Sequence, residues 1–560
     1  MQYSEFIELY ESLSQTPKRL EKVSILASFL KKLKKSELIY LLKGKVFPDY
    51  DSKEFGISDK LVIKAISKAS GTSETDLYKK YKKLGDLGAI ADAFIGKRKQ
   101  STLFNSKLTA EKIFENLRKL VEIQGHGAVE KKLSIIIEIL NSASGKEAKY
   151  IIRTLLSDLR IGVADGVLRD ALAEAFFPNE SMSEAIERAY DISNDYAVIF
   201  ESASKGKKHL EEITIMPGKP IKVMLPIKVT NIEEAFRICG KPAAIEHKYD
   251  GFRVMINKDE KGIISLFTRR LENVTSQFPD VVEAIKKHLK ANSFILDTEV
   301  VGFNPETKKY LPFEAISQRI KRKYDIEKLI KILPVEINVF DIIYLNGKII
   351  ASEQFKERRK ILEKLIPIVD KKIRPSMQFV TDDEKKALEF YTKTLSSGEE
   401  GIMMKKLDAP YQAGRRVGYM IKMKPDVQDL DLVIVGAEYG SGKRAGWLTS
   451  YIVACKADSD SEKFLEVGKV SSGLKEKEDE DQSTTYEEMT NLLKPLILEE
   501  KEKEVKIKPK LVVSVTYQNI QKSSAYSSGY ALRFPRITHF RPERGIHDIA
   551  SLKDIQIESK

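Results

Sequence analysis

Apolar residues recur at three- and four-residue steps from Met1 to about Lys219, as in Ile25, Phe29 and Leu33, the run from Leu38 to Leu42, and Leu133, Ile136, Ile137 and Leu140. This spacing predicts an all-helical region. Residues 151–176, IIRTLLSDLRIGVADGVLRDALAEAF, read as two helices around a turn from Gly162 to Gly166, with Asp165 capping the second. Three prolines in MPGKPIKVMLP (216–226) mark a linker. Beyond it the pattern shortens to β-branched and aromatic runs between turns, AAIEHKYDGFRVMIN, GIISLFTRR, SFILDTEVVGF, VEINVFDIIYL, GIMMKKL and GYMIKMK, which predict strands of a mixed α/β domain. After KMKPDVQDLD (422–431) a new series runs from LVIVGAEYG to LVVSVTYQNI, and five or so short strands predict a small β-barrel. The charged stretch 475–504 within that series reads as a solvated, helix-like surface insertion.

Length and composition narrow the class. With 560 residues, 42% hydrophobic and 32% charged, the chain is globular and divides into about three or four domains. Lys and Arg number 95 against 82 Asp and Glu, a net +13 that suits a polyanionic partner. Residues 1–150 carry 28 basic and 19 acidic side chains, so +9 of the excess sits there. A Lys-rich solvated helical surface accounts for this distribution equally well. Arg153, Arg160 and Arg169 flank the Gly162–Gly166 turn, where they either hold phosphates or pair within the helices. Cys239 and Cys455 stand far apart, which excludes a disulfide scaffold and a Cys-rich zinc module and points to a reducing compartment. The start has no signal-peptide pattern, and no apolar run is long enough to span a membrane.

The segment Glu246-His247-Lys248-Tyr249-Asp250-Gly251-Phe252-Arg253 is a strand running into a turn. Lysine is protonated at neutral pH, so a nucleophilic Lys248 needs burial or neighbouring cations, which Arg253 could supply. By itself K-x-D-G is a weak pattern that reads better as a hairpin turn beside a strand-edge lysine. Further segments follow in order, each placing a suitable residue near a strand end: Arg269 and Arg270 in TRRLENVT, Glu299 in LDTEVVGF, Phe340 in VFDIIYL, Glu399 and Glu400 in SGEEGIMMKK, and Arg415, Arg416, Lys422 and Lys424 in AGRRVGYMIKMKP. One pocket lined by them holds a nucleophile, carboxylates for a divalent metal, an aromatic for a base and cations for phosphates, the inventory of nucleotidyl transfer. No G-x-x-x-x-G-K-[ST] occurs, so a P-loop enzyme is not supported.

These collinear motifs resemble the covalent nucleotidyltransferases, and among them the ATP-dependent DNA ligases of archaeal and eukaryotic replicative type, the archaeal ones above all. The resemblance extends over nearly the whole chain: SDLRIGVADGVLRDALAEAF is similar to the family's helical DNA-binding domain, GKPIKVMLP to the approach to its adenylation domain, and YALRFPRI (530–537) to the last motif of its OB-fold domain. It implies an all-α DNA-binding domain over 1–220, a mixed α/β adenylation domain over 221–427 and a C-terminal β-barrel OB-fold domain over 428–560. By the same resemblance Lys248 attacks the α-phosphate of ATP, Glu246 reads the adenine edge, and Arg253 and Arg269 surround ribose and phosphates. Phe340 stacks on adenine, Glu299 and Glu400 are linked to Mg2+ or Mn2+, Glu299 also reaches the ribose, and Arg416, Lys422 and Lys424 neutralise phosphate. Arg533, Arg536 and Arg541 belong to the motif that orients pyrophosphate, or else contact DNA backbone. There the chain departs from the family pattern, with Arg541-Pro542-Glu543-Arg544 in place of Arg-x-Asp-Lys.

The implied activity is nick sealing in duplex DNA through a lysyl-AMP intermediate and 5′-adenylated DNA, in replication, repair and recombination. The implied molecule is a monomer in the cytoplasm of a cell without a nucleus. KRKQSTLFNSKL (97–108) is similar to a peptide that docks on a sliding clamp through Gln100, Leu103 and Phe104, and Leu103 and Phe104 fit equally as hydrophobic anchors of a loop. Within the superfamily the alternatives are an RNA ligase or an mRNA-capping guanylyltransferase, against which the large helical region argues. Outside it the alternative is a non-catalytic DNA-binding protein, disfavoured by the joint presence of Lys248, Glu299, Glu400 and Lys422.

Overall fold

Thr109 accepts a hydrogen bond from the Lys112 amide and so starts the helix Ala110–Glu122, whose Ile113, Phe114, Leu117, Leu120 and Val121 all fall on its buried side. Ser144 and Glu147 form a reciprocal capping box at the head of Gly145–Leu155. The computed structural model describes residues 1–51, 53–97, 108–125, 127–321, 325–425, 429–458, 463–476, 484–501 and 503–559. They form two compact units, one of Met1–Thr72 with Ala91–Pro425, the other of Ser73–Ile90 with the residues after Pro425.

Among the described residues of the first unit, the elements up to Glu211 are helices. Helix Arg19–Leu30 packs along Asp165–Phe176, and Ser24 Oγ donates to Glu174 at 2.6 Å. The second of these helices corrects the expected cap. Ala164 occupies the cap position without a side-chain bond, whereas Asp165 lies inside the first turn and pairs with Lys43 at 2.7 Å. An acid there still favours the positive end of the helix dipole. The neighbouring arginines are engaged within the protein: Arg160 Nε lies 2.7 Å from Asp158 and Arg169 Nη1 2.7 Å from Glu187.

Beyond the proline-rich segment the chain builds two sheets. The first has the strand order Ile227–Val229, Met420–Met423, Gly401–Lys406, Ala243–Lys248 and Gln378–Thr381. One face of it packs Ala243, Ile245, Ile402, Met404, Ile421 and Met423 against helices Ile232–Cys239 and Glu384–Ser396. The second sheet runs Ile264–Thr268, Phe252–Lys258, Phe294–Gly302, Val335–Leu345 and Lys348–Ile349, with Ile373–Pro375 parallel to Val335–Leu345. Phe252, Val254, Ile256, Leu296 and Val300 supply its outer core.

The turn at Asp250-Gly251 is therefore not a hairpin. Lys248 ends a strand of one sheet and Phe252 begins a strand of the other, so three residues carry the chain between sheets. Gly251 is needed at this crossing, because a β-carbon there would lie 2.5 Å from the Val300 carbonyl oxygen and 3.0 Å from Glu299 Cγ.

The second unit is β-rich. Its described residues form nine strands rather than about five: a seven-stranded sheet, and a separate ladder of Ile520–Lys522 with Tyr530–Leu532. The charged stretch is not a surface appendage. Thr485 and Glu488 form a capping box for helix Tyr486–Leu493, which sinks Tyr486, Met489 and Leu493 into the core of this unit. Strands Ile497–Lys501 and Glu504–Ile507 then pair with each other, and the latter joins Leu430–Tyr439. High charge density masked an i, i+3, i+7 apolar stripe that only packing reveals.

Candidate active site

Strand alternation sends Ile245 into the core and leaves Glu246 and Lys248 on the opposite face. Register then extends this face across the sheet: Glu246 lies opposite Met403, Met403 opposite Lys422, and Lys422 opposite Lys228. On the second sheet the same alternation buries Phe252 and Val254 and turns Arg253 the other way, opposite Glu299. The two faces bound a cleft of about 470 Å³ whose walls include Glu246, Lys248, Arg253, Arg269, Glu299, Phe340, Met403, Lys405 and Lys422. Residues as far apart in the chain as Glu246 and Lys422, 176 positions, thus share one cavity.

Lys248 is ion-paired with Glu400, which precedes the neighbouring strand. The Glu400 amide also donates to the Lys248 carbonyl oxygen at 3.1 Å. Burial lowers the Lys248 pKa, and the nearby charges of Lys424 and Lys422 lower it further, against the opposing pull of Glu299 and Asp250. Burial pushes the Glu299 carboxyl up to about 7 despite Lys248 and Arg253. Arg269 and Lys422 are lowered, first by burial and then by the cations around them, Arg253, Arg416 and Arg270 for the one and Lys424, Arg269 and Arg416 for the other. The cleft is therefore a concentrated positive field with a lysine driven toward its neutral, nucleophilic form, an arrangement suited to a polyphosphate.

Sequence-based expectations for Glu246, Lys248, Arg253, Arg269, Glu299, Phe340 and Lys422 meet in this one cavity. Glu400 joins it through Lys248, while Arg416 and Lys424 act on it through their charges. Phe340 is half-buried in a strand of buried neighbours, with the Arg253 guanidinium 5.2 Å and the Lys405 ammonium 4.6 Å from its ring centre, so it is not plain core. Arg415 turns away to Glu187, 3.1 Å distant.

Several groups that hold the site were not read from the sequence. Asp297, wholly buried, grips Arg253 with both oxygens at 2.8 and 2.5 Å and accepts from the Tyr411 hydroxyl at 2.7 Å. Its signal was present, since Asp297 and Glu299 are two apart on one strand and share a face. Lys405 and Gln378 bind Glu246 at 2.8 and 2.9 Å. Lys405 also alternates with Gly401 and Met403 on the cleft face, but its target lies 159 residues away.

In the second unit, Arg536 opens the strand Arg536–Phe540, and Arg533 is mostly buried. Arg541 lies 2.5 Å from Glu543 and 3.2 Å from Ser514 Oγ, and Arg544 lies 3.1 Å from Asp431. Gln100, Leu103 and Phe104 lie outside the described residues. Both cysteines are buried, and burial pushes each thiol up to about 12, which makes them poor nucleophiles. Among the described residues no helix is long and apolar enough to cross a membrane.

Three family profiles match the chain in order: "DNA ligase N terminus" at residues 2–173, "ATP dependent DNA ligase domain" at 223–424 and "ATP dependent DNA ligase C terminal region" at 444–544. The DNA ligase of Nanoarchaeum equitans is 46% identical, with 99% of this chain and 98% of that protein covered. That of Thermococcus onnurineus is 41% identical over 99% and 97%. A solved chain named Pmar-Lig_Pre shares the fold at a TM-score of 0.57 and 17% identity, over 96% of this chain and 98% of its own. With 46% identity to an archaeal DNA ligase over nearly its whole length and all three regions matched in order, the chain belongs to the ATP-dependent DNA ligases, enzymes that seal nicks in DNA.

Proposed function

We propose that Lys248 carries the covalent chemistry of this ligase. The observation behind it is a partly buried lysine whose proton is weakened by burial and by Lys422 and Lys424, in a cleft lined with arginines. The neutral Nζ attacks the α-phosphorus of ATP, an N–P bond forms, the bond to the β-phosphate oxygen breaks as pyrophosphate leaves, and one N–H proton is released to water. Lys422, Lys424, Arg269 and Arg416 offset the phosphate charge in that in-line displacement. Phe340 stacks on the base, Glu246 meets its edge, and Arg253, held rigid by Asp297, faces the ribose. AMP then passes to the 5′-phosphate at a nick, and the adjacent 3′-hydroxyl displaces it to close the backbone.

Glu299 and Glu400 would hold Mg2+, with Mn2+ as the alternative. The fit rests on their chemistry: Glu299 is a carboxyl whose ionisation is suppressed by burial and restored by a cation, and Mg2+ takes one or two carboxylates when phosphate oxygens supply further ligands. When bound, the ion supplies Lewis-acid stabilisation of charge on the phosphate.

The remaining assignments extend the same reading. The domains divide near residues 220 and 427, the basic helical part binds nicked duplex DNA, and the C-terminal part is an OB-fold that brings Arg533, Arg536 and Arg541 to pyrophosphate or DNA. The protein works as a monomer in the cytoplasm, in replication, repair and recombination, and residues 100–104 dock on a sliding clamp.

Incubation with α-labelled ATP and Mg2+ tests the core of this proposal. The expected product is protein-bound label that is acid-labile, alkali-stable and absent from Lys248→Ala. A wild-type protein that forms no adenylate, or a Lys248→Ala variant that still does, overturns it. Joining of a nicked DNA duplex by the same preparation completes the test, whereas joining of nicked RNA alone points to an RNA ligase.

A further inference from the structure

Lys405 is 3% exposed and Glu246 2% exposed, yet both line the nucleotide cleft. The Lys405 ammonium donates to Glu246 Oε2 at 2.8 Å and to the Phe340 carbonyl oxygen at 3.1 Å, and it lies 4.6 Å from the Phe340 ring centre. Glu246 Oε1 accepts from Gln378 Nε2 at 2.9 Å, with Arg359 Nη1 at 3.8 Å. Ser376 Oγ reaches Oε2 at 3.4 Å. One cation therefore touches both the carboxylate at the base's edge and the aromatic at its face.

Stability alone gives little reason for this pair. Burying two ions costs desolvation that a well-packed apolar pair of the same volume avoids. What the ions provide is a defined hydrogen-bonding polarity. An ionised carboxylate only accepts, and each oxygen has room for two donors, so Oε1 can still take a proton donor after Gln378. Adenine offers an N6 amine as donor, where guanine offers an O6 acceptor.

We infer that Lys405 is a positioning residue that sets the choice of nucleobase. It holds the Glu246 carboxylate in place toward the edge of the base while fixing Phe340 against its face. The inference rests on the assignment of Glu246 to the base edge. Without Lys405 the carboxylate loses its nearest cation and the contact that fixes its orientation, and in a reoriented pose it no longer discriminates against the guanine carbonyl.

The test compares self-adenylation with self-guanylation, using labelled ATP and GTP on the full-length protein. Lys405→Met should lower the ATP-over-GTP ratio of kcat/KM by about 10-fold or more, mainly through KM for ATP, the scale expected when a polar recognition group is disturbed. Lys405→Arg should retain most of the selectivity. Glu246→Gln should lose it, and the Lys405→Met/Glu246→Gln double variant should lose little more than either alone, because the two residues act as one unit. Wild-type selectivity in Lys405→Met overturns the inference, however far total activity falls. If Lys405→Met does not fold, loss of selectivity in Lys405→Arg beyond that in Glu246→Gln overturns it instead. Wild-type selectivity in Glu246→Gln shows that the base-edge assignment itself has failed, which separates that outcome from failure of Lys405 alone.

Discussion

Gly251 rests against the backbone of Val300, so closely that an added β-carbon would stand 2.5 Å from its carbonyl oxygen. Because Gly251 is three residues after Lys248, this contact sets where the lysine-bearing strand leaves its sheet. Gly251→Ala should push the two sheets apart at the cleft and slow self-adenylation by about 100-fold, the usual consequence of a displacement near 1 Å. Single-turnover labelling measures it, and a rate within about twofold of wild type would show that the crossing tolerates a side chain.

Asp297 holds Arg253 through two hydrogen bonds at 2.8 and 2.5 Å, and burial covers both partners. Asp297→Ala should destabilise the protein by about 3–5 kcal/mol, because a buried guanidinium is left without its counter-charge. Tyr411→Phe removes a neutral hydroxyl that donates to the same carboxylate and accepts from the Met224 amide, and should cost about 1–3 kcal/mol. Denaturant unfolding of both variants ranks them, and equal losses would deny the ion pair its special weight.

Asp49 offers a pH-dependent test outside the cleft. Burial raises its pKa, but the Lys43 and Lys45 ammonium groups pull it down to about 2, and its side chain is only 15% exposed. A depressed carboxylate stabilises the fold fully above its unfolded pKa and loses that contribution as pH falls through the folded value. Between pH ~4 and pH ~2 the wild type should therefore lose about 2 kcal/mol more than Asp49→Asn. Unfolding midpoints across that range decide it, and parallel curves would remove Asp49 from the account.

Met489 is fully buried in the β-rich unit although its surroundings in sequence are highly charged. Met489→Ala should cost about 2–5 kcal/mol, whereas the exposed neighbour Glu487→Ala should cost less than about 0.5 kcal/mol. Similar small losses at both positions would return helix Tyr486–Leu493 to the status of a surface insertion.

Much of the candidate site was legible before any coordinates. Glu246 and Lys248 stand two residues apart in one strand and so share a face, a relation that needs only local sequence. The burial of helix Tyr486–Leu493 was not read from the sequence because charge density outweighed its short apolar stripe. Asp165 was misplaced by one residue, a change that moves a side chain from cap to first turn. The Asp250-Gly251 turn was open to a hairpin reading because turn chemistry describes the bend and not the sheet that receives the next strand.

The sequence by itself determined the order of the helical, mixed and strand-rich regions, the chemical types set along them, and a lysine followed by a glycine three residues on. Those follow from local periodicity and side-chain chemistry. Only the tertiary structure decided that Lys248 and Arg253 face each other from different sheets, that Asp297 grips Arg253, and that Lys405 reaches Glu246 from 159 residues away. Such partnerships depend on how two sheets close over a shared cleft. No short-range pattern carries that information, because strand register and packing bring together residues whose separation in sequence is arbitrary.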